Sequence, residues 1–247
     1  MPRTGDLISI PGDYQYRALF EGVRAQRFWH YNKLSEAERW LKPEKGDIVL
    51  DAGCGSGVLA AQLAEYPGTE VIGIDSNPSA ISFATRHFCR PNLQFRLGTI
   101  NDTNFPKESF TKIALLEVIE HIPREDILEV LLHLSMILRS NGRVVISTPN
   151  SDSLWPLIEW IIDRTKLVPR MKSDQHVAFY NLGALSKLAK EAGFNMVTYR
   201  SINLFSPWIA MLSWRLALGA RRLEHARRHT FGAILVVVLE KQNENLG

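Results

Sequence analysis

Apolar positions along the chain follow two alternating rhythms. From Tyr14 to Leu41 they recur at helical spacing until "KPEKGD" interrupts them, which predicts an N-terminal helical segment over residues 14–41. "DIVLDAG" is then a short continuous apolar run that reads as a buried strand. "GVLAAQLAEYPG" reads as a helix closed by Pro67 and Gly68, and "EVIGID" as the next strand. "NPSAISFATRHF" offers Asn77 as a cap and Pro78 at the first helical position, and "LQFRLG" follows as a third strand. "FTKIALLEV" reads as a strand, "REDILEVLLHLSMIL" as an amphipathic helix, and "GRVVISTP" as a strand after the turn pair Asn141 and Gly142.

Strands alternating with helices imply a parallel sheet covered on both faces, hence an α/β domain. The rhythm changes at residues 152–172, where clustered apolar turns and two Trp read as an inserted helical segment. "NLGALSKLAKEAGF" resumes as a regular helix stopped by Gly193. "NMVTYRSINLF" and "FGAILVVVLEK" read as two strands. Residues 206–229 between them are too many for a hairpin and predict a second helical insertion. One domain over residues 1–247 accommodates all of this, since α/β folds of this length commonly form one unit.

Composition changes the picture little. Apolar residues make up 45% and charged residues 22%, ordinary values for a globular chain. The net charge of +3 is too small to argue for nucleic acid, although Arg215, Arg221, Arg222, Arg227 and Arg228 cluster late in the chain. Cys54 and Cys89 sit in no metal or redox spacing, and two free thiols suit a reducing compartment. The start carries no secretory pattern, and no run reaches the ~18 to 20 apolar residues of a membrane span. The expectation is a cytoplasmic protein, with peripheral membrane contact as a further option.

The chemistry concentrates in "VLDAGCGSGVLAAQLA". Gly53, Gly55 and Gly57 follow a strand and open a helix, where missing β-carbons let the backbone turn sharply and approach a ligand. Asp75 ends the next strand, where a carboxylate can accept both hydroxyls of a ribose. Together they describe a nucleoside-bearing cofactor. The dinucleotide fingerprint is G-x-G-x-x-G, whereas this loop is G-x-G-x-G followed by Val58, which argues against a pyrophosphate and hence against a nucleotide-dependent oxidoreductase.

"VLDAGCGSG", "VIGIDSNPSAISFA", "LLEVIEHI" and "LRSNGRVVISTPN" stand in an order that resembles the class I S-adenosylmethionine-dependent methyltransferases, particularly the group that includes ubiquinone-pathway O-methyltransferases. The resemblance covers roughly residues 45 to 200. It implies a seven-stranded Rossmann-like sheet, mostly parallel, with an antiparallel last strand, here Phe231 to Lys241, and helices on both faces. It also implies that Asp51 braces the loop, that Gly53, Gly55 and Gly57 wrap the methionine part of S-adenosylmethionine, and that Asp75 holds the ribose with Ser76 beside it. Thr99 and Ile100 stand where adenine contacts are made, and Leu116 where the cofactor meets the fourth strand. The chain departs from the family at Thr99 and Thr111, each in place of a usual acidic residue.

Methyl transfer from a sulfonium is a displacement, so holding the nucleophile in line and excluding water is the main task. A hydroxyl nucleophile gains further from a base or a metal. "EVIEHI" sits at the carboxyl edge of the sheet, where open α/β folds bind substrates. His121 could serve as a general base oriented by Glu120. Alternatively Glu117, Glu120, His121 and His176 could supply two carboxylates and two imidazoles to a divalent metal, a pattern similar to that of small-RNA 2′-O-methyltransferases. As a third reading, the same groups form a hydrogen-bonded corner.

The two insertions place apolar stripes beside Trp and Arg, which suits a lid over a greasy substrate, an interfacial helix at an anionic membrane, core packing or a dimer contact. The combined expectation is a methyltransferase that O-methylates a small, lipid-like hydroxyl compound. The alternatives are a metal-dependent RNA 2′-O-methyltransferase, disfavoured because no RNA-binding module accompanies the arginines, and a cofactor-binding protein without turnover.

Overall fold

The computed structural model describes residues 11–101, 104–153, 177–226 and 229–242. Seven strands form one sheet: β1 (Ile48–Ala52), β2 (Glu70–Asp75), β3 (Leu93–Leu97), β4 (Phe110–Leu116), β5 (Leu138–Pro149), β6 (Phe194–Ile202) and β7 (Ile234–Lys241). Their order is β3-β2-β1-β4-β5-β7-β6. Pairing is parallel from β3 to β5, and β7 runs antiparallel to both β5 and β6. The central strands β1, β4 and β7 are mostly buried because both faces are covered; in β7, Ile234 to Leu239 are all buried.

Eight α-helices are described: α1 (Tyr14–Phe20), α2 (Arg24–Leu41), α3 (Val58–Leu63), α4 (Pro78–His87), α5 (Ile127–Ile137), α6 (Leu182–Glu191), α7 (Ser206–Leu212) and α8 (Trp214–Ala226). Asn77 caps α4 as its sequence predicts, its Oδ1 accepting from the Ser79 amide at 3.0 Å with Pro78 at the first position. The turn expected at Asn141–Gly142 is instead an irregularity inside β5. Asn141 adopts φ 61°, and the register against β4 shifts there. The single segment expected over 14–41 divides into α1 and α2 with Gly22 and Val23 between them. Of the predicted insertion 152–172, all but its first two residues lie outside the described residues.

Thr111, where the family pattern has an acid, closes the start of β1. Its hydroxyl accepts from the Ile48 amide at 3.0 Å and donates to the Ile48 carbonyl at 3.1 Å.

The helices between β6 and β7 pack against α2. Phe28, Ala210 and Ala217 form a small apolar cluster with Tyr31, Ile209 and Trp214 around it. Beneath it lies a charged knot. The fully buried Glu36 of α2 receives Arg221 Nη2 at 3.1 Å, His225 Nδ1 at 3.2 Å, Arg200 Nε at 3.4 Å and Trp40 Nε1 at 3.1 Å. Burial alone would raise the Glu36 pKa, but the His225 hydrogen bond and the charges of His225, Arg200 and Arg221 overcome it and hold the group at about 2. Arg221, read from sequence as part of a basic patch, is therefore an internal tie, whereas Arg215 and Arg222 remain exposed.

Replacing Glu36 by Ala strands these cations, and stability in chemical denaturation is expected to fall by about 3 to 5 kcal/mol, as for other buried pairs that lose one partner. Because the folded pKa is depressed, the contribution of Glu36 is fully present above the ordinary carboxylate range and is lost as pH falls towards about 2. The Glu36→Ala protein should accordingly show a shallower acid-side loss of stability than the parent.

Candidate cofactor and acceptor site

The turn from β1 into α3 contains three glycines in the left-handed region, Gly53 at φ 77°, Gly55 at 51° and Gly57 at 79°. The Gly53 and Cys54 amides donate to the Ile74 carbonyl at 2.8 and 2.9 Å, so the loop is fastened across the end of β2. Asp75 completes the fastening. Its Oδ2 accepts from the Gly55 amide at 2.8 Å and its Oδ1 from the Asn77 amide at 2.8 Å. From beneath, Asp51 Oδ2 accepts the Ala60 amide of α3 at 3.1 Å. Burial, with a smaller contribution from the nearby Asp75 charge, raises the Asp51 pKa to about 7 despite that hydrogen bond.

A cleft opens over this turn. Asp51, Gly53 and Leu116 line its sheet side, and Gln15, His30 and Lys33 line it from α1 and α2. The cradle is tight at Gly53, whereas at Gly55 only the movable end of Gln15 stands in the way. A β-carbon on Gly53 would lie 2.2 Å from Val118 Cγ2, and one on Gly55 would lie 2.5 Å from Gln15 Oε1. Ser76 is exposed beside Asp75, Thr99 is exposed after β3, and Ile100 is buried. These residues fit a nucleoside-bearing ligand: a carboxylate at a strand end, a backbone turn stripped of side chains, and apolar Leu116 alongside.

The "EVIEHI" stretch divides. Glu117 departs from β4 at φ 54°, an uncommon conformation for a residue other than glycine, and its Oε2 accepts from Lys33 Nζ at 2.5 Å. Glu120 points into the protein, 2% exposed, and accepts from Thr148 Oγ1 at 3.1 Å. Burial, followed by the Glu117 charge, pushes its pKa well above the usual carboxylate range. Its carbonyl accepts the Val177 and Ala178 amides at 2.9 and 3.1 Å. His121 is half-buried on the short 3-10 turn Ile119–His121. Neither Glu120 nor His121 lines the cleft.

The metal set drawn from Glu117, Glu120, His121 and His176 does not assemble among the described residues, where no three His, Cys, Asp or Glu side chains come together to hold an ion. The physical reason is that a lysine already neutralises Glu117 while Glu120 turns inward to Thr148. His176 lies outside the described residues.

His30 and Lys33 were not legible from the sequence. Together with Glu36 they recur every third residue along α2, a spacing that an ordinary solvated helix face shows equally well. All three are buried, at 8%, 4% and 0% exposure.

Gly53→Ala must either strain the left-handed turn or displace Val118. A loss of about 1 to 3 kcal/mol is expected in denaturation, as for other overpacked sites, together with loss of ligand binding in the cleft. Glu120→Gln tests the inward carboxyl. Because its folded pKa is raised, its stabilising contribution is complete at pH below the ordinary carboxylate range and is lost as pH rises through the raised value. Denaturation at pH 5 and pH 9 is therefore expected to show a smaller alkaline loss in Glu120→Gln than in the parent.

Comparison with known proteins agrees with this geometry. Residues 24–199 match the family model described as a methyltransferase domain. Ubiquinone biosynthesis O-methyltransferase of Azorhizobium caulinodans is 33% identical over 114 residues, 45% of this chain and 44% of its own length. The protein of the same name from Thiobacillus denitrificans is 31% identical over 167 residues, 63% of this chain and 68% of its own. The match thus spans less than half the length of the first of these relatives. A solved S-adenosylmethionine-dependent methyltransferase from Archaeoglobus fulgidus shares the fold, with a TM-score of 0.62 at 20% identity over 92% of this chain and 99% of that one. With its strand order, glycine turn and acidic strand end in place and the family model matched over more than half its length, this chain belongs to the methyltransferase-domain family.

Proposed function

We propose that this chain transfers a methyl group from S-adenosylmethionine to a hydroxyl on a small lipophilic molecule. The observation that carries the reading is Asp75: a carboxylate at the end of β2, bonded to the Gly55 amide of a turn with three left-handed glycines. In this reading Gly53, Gly55 and Gly57 pass the methionine end, Asp75 takes the ribose hydroxyls with Ser76 beside it, and Thr99 and Ile100 border the adenine. Leu116 flanks the cofactor from β4. Bound S-adenosylmethionine would supply a methyl group on a sulfonium, an electrophile that asks the protein chiefly for alignment and a dry cleft. The buried lining fits that requirement. The names of the relatives support oxygen as the nucleophile and a lipophilic acceptor. Glu120 and His121 enter the reading as the rim beyond Leu116, with Glu120 holding the corner.

Peripheral contact with an anionic membrane belongs to the same reading. It is supported by Trp208, Leu212, Leu216 and Leu223 of α7 and α8, which stay exposed with Arg215 and Arg222 nearby.

Titration calorimetry is expected to show saturable binding of S-adenosylmethionine and none of NAD; binding of NAD alone would overturn the assignment. Asp75→Ala should weaken S-adenosylmethionine at least about tenfold, equal to about 1.4 kcal/mol. Undiminished affinity in that variant would remove Asp75 from the site. Sedimentation with phosphatidylglycerol vesicles at low salt checks the membrane contact, which an entirely soluble fraction would refute.

A further inference from the structure

His30 is the unexplained group of the cleft. Its side chain is buried at 8% exposure, yet among the described residues no hydrogen-bond partner reaches either ring nitrogen. Among the described residues, Tyr14 approaches its ring edge-on at 6.2 Å. No nitrogen of His30 is among the fully buried polar atoms left without a partner, so the ring keeps some access to solvent, and a ligand in the cleft can take the bond that water otherwise makes. The imidazole lines the same cleft as Gly53 and Leu116.

The nearby carboxylates already serve the fold: Asp51 accepts the Ala60 amide beneath the glycine turn, and Glu117 accepts Lys33. Lys33 stands one turn after His30 on α2 at 4% exposure and lines the cleft with it.

We propose that His30 is the acceptor-side catalytic residue, receiving the proton of the hydroxyl that is methylated. The assignment rests on the methyltransferase reading above and names the group that it leaves open. The acceptor's O–H donates to one imidazole nitrogen, which aims an oxygen lone pair into the cleft. As the new O–CH3 bond forms, the S–CH3 bond breaks and its electron pair stays on sulfur, which becomes a neutral thioether. The hydroxyl proton passes to His30 and then to solvent. One positive charge is present throughout, first on the sulfonium and then on the imidazolium. Burial, with the Lys33 charge and against that of Glu117, holds the resting His30 pKa at about 3, so the ring is neutral but a weak base, and it takes the proton only as the oxygen gains the methyl group and becomes strongly acidic. The same Lys33 charge destabilises the imidazolium once formed and favours release of the proton.

The test separates proton removal from mere packing. His30→Gln and His30→Asn are compared with the parent at one pH, using S-adenosylmethionine and two acceptors: a simple phenol, un-ionised at that pH, and a dinitrophenol that is already ionised. Calorimetry with S-adenosylmethionine verifies that each variant keeps its cofactor site. The expected result is a drop in kcat of about 10²-fold or more with the un-ionised phenol, the range of a lost general base, and little change with the ionised one. In the parent bound to S-adenosylhomocysteine, adding the un-ionised phenol should also shift the ¹⁵N resonance of the His30 ring, a readout that needs no variant to fold. An equal loss with both acceptors, no loss with either, or an unmoved His30 resonance overturns the role of His30 alone. A parent that binds S-adenosylmethionine but methylates no hydroxyl overturns the hydroxyl reading itself, and His30 with it.

Discussion

The site depends on the buried carboxylate of Glu36. It gathers Arg200 from β6 with Arg221 and His225 from α8, and so clamps α2 against the C-terminal helices and the far edge of the sheet. An ion cluster of this kind contributes little net stability compared with apolar packing, but it tolerates few alternative arrangements. Its consequence is positional. With Glu36 fixed, the preceding turns of α2 bring Lys33 to the end of β4 and His30 into the lining of the cleft.

A second constraint meets the first from the sheet side. The Asp75 carboxylate, the Ile74 carbonyl and the Asp51 carboxylate each accept an amide of the β1–α3 turn or the start of α3. Those bonds hold the glycine turn close to the strand ends, where backbone rather than side chain faces a ligand. The cleft therefore has two walls of different character. One is backbone and apolar surface suited to a cofactor, and the other is a helix carrying the cation and the imidazole.

Between the walls, Glu117 links the two systems. Its left-handed backbone turns it out of β4 towards Lys33, while Glu120, three residues on, turns inward to Thr148. Two carboxylates that look equivalent in "EVIEHI" thus do different things. One accepts a hydrogen bond from its lysine partner, and the other is kept towards its neutral form by burial and by the first one's charge. Proximity of acidic and imidazole groups in sequence could suggest a metal site, but their divergence in space follows from what each finds within reach.

The sequence by itself determined the sheet, the glycine turn and its acidic follower, because these rest on local rules: apolar runs for buried strands, left-handed turns for glycine, capping for Asn77. Strand order at the far edge and the antiparallel β7 came with the family resemblance and not from periodicity. Only the tertiary structure decided the roles of α2, where His30, Lys33 and Glu36 read as an ordinary polar face. Their partners Glu117, Arg200, Arg221 and His225 lie far along the chain, and no local pattern encodes a pairing made across the sheet. Burial of a charge is settled by what packs over it, and that is known only once the chain has folded.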